Sequence, residues 1–109
     1  MDLKQIIERF SALNIQEKRT IEEEYVEIVV LTKEVAEWSQ VASEFFGPAI
    51  KPTGAKPDQE SLQLTQSFGG IRDNQTLFKK ELDGKTAIAM FWPWQDGVHT
   101  TLKMFVLPA

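Results

Sequence analysis

Two glycine-bearing turns in the second half constrain this chain more than any other feature. Asp83-Gly84 and Gln95-Asp96-Gly97 punctuate a stretch rich in β-branched and aromatic residues. Asp-Gly suits a two-residue hairpin, whose central positions need positive φ. Segments Thr76–Leu82, 85–94 and 98–107 therefore read as an antiparallel meander. The first turn opposes Leu82 to Lys85, Lys80 to Ala87 and Phe78 to Ala89. Taken as three residues with Gly97 left-handed, the second opposes Trp94 to Val98, Trp92 to Thr100, Met90 to Leu102 and Ile88 to Met104.

These registers sort the meander into two faces. Ile88, Met90, Trp92, Trp94, Val98, Leu102, Met104 and Val106, with Leu77 beside them, form a core face on which helices should pack. The opposite face carries Phe78, Leu82, Phe91, Phe105 and Leu107 around Ala87 and Ala89, with Lys80, His99, Thr101 and Lys103. A solvated face seldom holds so much apolar surface. A second copy of the chain, the 47–60 loop or a ligand is expected to cover it.

Upstream, Leu3, Ile6, Ile7, Phe10 and Leu13 recur at helical spacing and predict an amphipathic helix. The polar stretch 16–24 is read as a connection in which Asn14, three residues before Glu17, or Thr20, three before Glu23, could begin a short turn. Tyr25–Leu31 is β-branched and short, a strand with Val26, Ile28 and Val30 facing inward. Thr32 suits a helix N-cap, and Val35, Trp38, Val41, Ala42, Phe45 and Phe46 then mark a helix stopped by Gly47-Pro48. Residues 47–60 hold three prolines and two glycines and predict a loop. In 61–68, Leu62, Leu64 and Phe68 alternate with polar residues, favouring a strand over a helix begun at Asp58. The expected architecture is a single α+β domain over 1–109. It has a mainly antiparallel sheet of four to five strands and two helices on one face, in the order α-β-α-β-β-β-β.

Composition limits what such a domain can do. The chain of 109 residues has no cysteine and one histidine, which removes disulfides, thiolate chemistry and Cys- or His-rich metal centres. No cofactor or metal is expected. Its formal charge is −4. Residues 1–46 hold ten acids against five bases, and 47–109 hold six against seven. That balance repels phosphate backbones and disfavours nucleic acid. No apolar run reaches bilayer-spanning length and no signal peptide opens the chain, so a soluble, cytoplasmic protein is expected.

Candidate chemistry is sparse. Lys80 and Lys103, flanking the alanine floor beside His99 and Phe91, could hold a small anion. The bland reading is solvated lysines lying over apolar neighbours. In Phe91-Trp92-Pro93-Trp94, Pro93 donates no ladder bond, so the strand must bulge, end or lie at an edge there. The two indoles are read as core plugs under the helices, with a groove against a helix at the sheet end, for a flat or apolar ligand, as the alternative. Phe68-Gly69-Gly70-Ile71-Arg72 resembles a phosphate loop only superficially, since no Lys-Ser/Thr follows. Glu22, Glu23, Glu24 and Glu27 read as a solvated edge rather than a cation site. No paired acid–base constellation appears. The expectation is a non-enzymatic binding or interaction module acting as a homodimer. The alternative is a small enzyme or ligand-dependent protein with an anion cleft at Lys80, His99 and Lys103.

Overall fold

The computed structural model describes residues 15–21, 25–66, 70–82 and 84–108. The helix expected over residues 3–13 lies outside them. The described elements run β1 (Ile15–Ile21), β2 (Tyr25–Leu31), α1 (Val35–Phe46), α2 (Gln59–Thr65), β3 (Thr76–Leu82), β4 (Lys85–Pro93) and β5 (His99–Pro108). The five strands form one sheet in the order β1-β2-β5-β4-β3, antiparallel at every pairing. The architecture is α+β. Its described part begins with strands, so the expected order is corrected to β-β-α-α-β-β-β.

Two local readings explain that correction. β1 is polar (IQEKRTI) and shows no clean alternation, because register irregularities interrupt its pairing with β2. Segment 59–65 is helical rather than extended. The Asp58 carboxylate accepts the Ser61 N–H at 2.8 Å, an N-cap that satisfies a free amide of the first turn. Thr65 then returns its hydroxyl to the Ser61 carbonyl at 2.8 Å. Thr32, by contrast, caps nothing. It lies in a 3-10 turn before α1, and its hydroxyl pairs with that of Thr100 at 2.9 Å.

The two-residue turn sets β3 against β4 as expected, with Leu82↔Lys85, Lys80↔Ala87 and Phe78↔Ala89. The β4–β5 connection is longer than expected. Pro93 pairs with Thr100, and the Trp94 N–H donates to the His99 carbonyl at 2.9 Å. Four residues, Gln95, Asp96, Gly97 and Val98, therefore make the loop. Asp96 Oδ1 accepts the Val98 and His99 amides at 2.8 and 3.0 Å, and Gly97 adopts φ 71°. One extra loop residue slips the register by one, and a one-residue slip moves every β5 side chain to the other face. The expected faces of β5 are corrected accordingly.

On the first face, Phe78, Ala87, Ala89 and Phe91 join Leu102 and Met104 of β5 and Val26, Ile28 and Val30 of β2. Helix α1 seals this face with Trp38, Ala42, Phe45 and Phe46. The small side chains of Ala87 and Ala89, 1% and 0% exposed, let the helix approach closely. The alanine floor thus has its cover within the chain. On the second face, Leu77, Ile88, Met90 and Phe105 are buried with Ile71, and Leu64 of α2 and Trp92 pack against them. The two described helices therefore serve opposite faces, not one.

A buried lysine ties the long connection to the sheet. Lys51 is 2% exposed and donates to the carbonyls of Pro52 (3.3 Å), Asp73 (2.9 Å) and Gln75. Its backbone bridges edge strand β3 at Leu77. Gly54 N–H to the Asp73 carbonyl, 2.7 Å, and the Thr53–Thr76 hydroxyl pair add to the same seam. Burial pushes the Lys51 ammonium below the usual lysine range, against an upward pull from Asp73.

Candidate binding site

The corrected register disperses the expected anion site. Lys80 stays on the α1 face, where its Nζ donates to the Phe45 carbonyl at 3.0 Å and lies 4.7 Å from the Phe45 ring. It thereby serves the C-terminal end of α1, where the helix dipole favours a cation. Phe91, 1% exposed, is a core ring on that same face, 6.1 Å edge-on from Phe78. Lys103 and His99 lie on the opposite face, paired in register with Met90 and Leu31. The sheet separates the two lysines, so they do not converge on one ligand.

What gathers on the second face instead is a pair of indoles with cations against them. Trp92 stands on β4, and Trp94 follows immediately after Pro93 ends that strand. Trp94 Nε1 donates to the Thr101 hydroxyl at 2.7 Å, which fixes the ring over β5. The Arg19 guanidinium lies 5.4 Å from the Trp94 ring, and the Lys103 Nζ lies 3.7 Å from the centre of the Trp92 ring. Both are cation–π distances. Arg19 also pairs with Glu17 (2.7 Å) and Glu27 (3.5 Å), and the Glu17 hydrogen bond leads in raising its pKa. Tyr25 donates to Glu27 at 2.8 Å, and its phenol is pushed up to about 12, first by burial and then by that carboxylate.

The turn before β3 forms the opposing wall. Gln75 is buried, and its Oε1 accepts the Arg72 N–H at 2.7 Å while its own N–H donates to the Arg72 carbonyl at 3.1 Å. Lys51 holds this turn through the Asp73 and Gln75 carbonyls. Between the walls lies a cleft of about 450 Å³ lined by Arg72, Gln75, Trp92, Trp94, Gln95 and Thr101, with Pro93 at the strand end. The lining holds a cation, Arg72, and no acid.

At the hairpin tip, His99 Nδ1 lies 2.7 Å from Asp96 Oδ2, and its ring stacks 5.0 Å from Trp94. The hydrogen bond with His99, then the Val98 and His99 amides, hold the Asp96 carboxyl down to about 2. Sequence reasoning found no carboxylate orienter for His99. Aspartate three residues upstream, in a loop with a left-handed glycine, is the signal that could have revealed it. Among the described residues, no three His, Asp or Glu side chains gather as a metal site, and no helix is long and apolar enough to cross a membrane.

Comparison with known proteins adds no identity. The chain matches no protein-family model, no curated protein and no solved structure.

Proposed function

We propose that this chain is a non-catalytic binding module whose site is the Trp92–Trp94 cleft, and that its ligand is small and flat. The observation that carries this reading is two indoles opening onto one cleft of about 450 Å³, within the roughly 300–1,000 Å³ range of small-ligand sites. Indole faces favour planar partners. The walls are held by hydrogen bonds at Trp94, Gln75 and Lys51, so little ordering is left for the ligand to impose. The apolar face that suggested a homodimer is covered by α1, so the proposal requires no second copy.

The test is an NMR titration of the three tryptophan indole N–H signals with flat aromatic fragments. Trp38, 0% exposed on the sheet-facing side of α1, is the internal control. A ligand in the cleft shifts Trp92 and Trp94 and leaves Trp38 in place. Fragments that move all three signals together, or none, refute the reading.

A second reading, a small enzyme, has one observation in its favour: Asp96 orients the His99 ring as a general base is oriented. Among the described residues no hydroxyl nucleophile hydrogen-bonds that ring. Asp96 Oδ1 is meanwhile occupied by two loop amides, the work of a hairpin cap. The binding module is therefore the better-supported reading.

A further inference from the structure

The charge inventory around the cleft narrows the ligand's chemistry, an inference that rests on the cleft being the binding site. Several described cations are already engaged. Arg19 is held by Glu17 and Glu27, Lys79 by Glu60 and Glu81, Lys80 by the Phe45 carbonyl, and Lys51 by three backbone carbonyls. Arg72 differs. Its backbone N–H and carbonyl are locked to Gln75, while its exposed guanidinium has no acid partner among the described residues. The turn is fixed, and among the described residues the cation at its end meets no acid. It lines a cleft that contains no acid, in a chain whose formal charge is −4.

An unpaired guanidinium beside two indoles is complementary to a flat ring bearing one negative group. The planar fork of arginine matches a carboxylate with two parallel hydrogen bonds. A single cation in the lining balances a single negative charge. A dianionic phosphate would enter with charge left over, against the repulsion of an acidic chain. Lys103 is seated on the Trp92 ring and is not part of the cleft lining, so Arg72 is the cation that lines it. We propose that the cleft binds a planar aromatic monocarboxylate, its ring against Trp92 and Trp94 and its carboxylate on Arg72.

Four probes test this by NMR on the intact chain: 2-naphthoate, 2-naphthamide, 2-naphthyl phosphate and cyclohexanecarboxylate. Binding is read from the indole N–H signals of Trp92 and Trp94 and from the Arg72 Nε–H signal. 2-Naphthoate should shift all three and bind about tenfold or more tightly than 2-naphthamide, as a charge-assisted pair implies. Cyclohexanecarboxylate, which has the charge without the flat ring, should bind more weakly than 2-naphthoate. Arg72→Gln should bring the naphthoate-to-naphthamide ratio to about one, with an unmoved Trp38 signal showing that the fold is kept. If 2-naphthamide binds as tightly as 2-naphthoate, or the phosphate binds more tightly, the carboxylate assignment falls while the cleft stands as a binding site. A ratio unchanged by Arg72→Gln overturns the assignment of Arg72, and a saturated acid binding as well as the naphthoate overturns the planar ring. If none of the probes shifts Trp92 or Trp94, the cleft reading itself fails.

Discussion

Lys51→Met should loosen the wall of the cleft by a predictable amount. The substitution keeps the length of the side chain and removes its ammonium, leaving the carbonyls of Pro52, Asp73 and Gln75 without their donor. The contact at 3.3 Å is long and contributes little, so two good charge-assisted bonds dominate. At ~2 kcal/mol each they amount to ~4 kcal/mol. Methionine avoids the cost of burying a charge, a cost visible in the lowered Lys51 pKa, and this offsets part of the loss. The net destabilisation should be about 2–3 kcal/mol, or about 10 °C in Tm for a domain of this size. Urea denaturation measures it, with Lys56→Met as the control, because Lys56 is exposed on the same connection. Hydrogen exchange should show faster loss of protection at Gly54, whose amide bonds to the Asp73 carbonyl. If the Lys51→Met midpoint stays within about 0.5 kcal/mol of the parent, matching the Lys56 control, the ammonium is not holding that seam.

Two further substitutions probe other joints. Ala89→Leu places extra bulk under α1 and should cost about 1–3 kcal/mol, read as a lowered denaturation midpoint; a neutral result would mean that α1 does not seat on the alanine floor. Asp96→Asn should flatten acid unfolding. The folded Asp96 carboxyl titrates at about 2, below the ordinary value of about 3.9, so its contribution is full above that value and disappears as pH falls through 2. The parent should lose stability between about pH 4 and pH 2 in a way the variant does not, and identical acid profiles would remove the His99–Asp96 pair from the account.

Much of the sheet was legible because its cues are local. The β-branched run Tyr25–Leu31 and the Asp83-Gly84 turn give β2 and β3 their observed bounds, and give β3–β4 its register. β1 was not legible: Gln16–Thr20 is polar, and the segment becomes a strand only because β2 offers it an edge, an interaction with no local signature. In 58–66 two local cues competed. Apolar–polar alternation favoured a strand, Asp58 favoured a helix start, and the cap prevailed, leaving Leu62 50% exposed and Leu64 inward.

The site failed to emerge from the sequence for a different reason, which lies in parity. A strand of period two carries its side chains to one face or the other according to the count of residues in the preceding loop. Asp96 accepts both the Val98 and the His99 amide, and so keeps Val98 in the loop instead of the ladder. That single residue sends Lys103 and His99 to the face of Trp92 and leaves Lys80 and Phe91 beneath α1. The lysine pair expected beside the alanines thus never forms. Arg72 and Gln75 were hidden more deeply, because their place opposite the indoles depends on Lys51, twenty or more residues upstream, donating to their turn. A lysine in a proline-rich loop has nothing in its neighbourhood to mark it as buried. The alternative use of Trp92 and Trp94 as a groove for a flat ligand needed only their shared end of the sheet. The register correction leaves both indoles at that end, because they belong to β4 and its exit, upstream of the residue that the loop gained. The cleft there lies against the turn at 72–75, however, and not against a helix as expected.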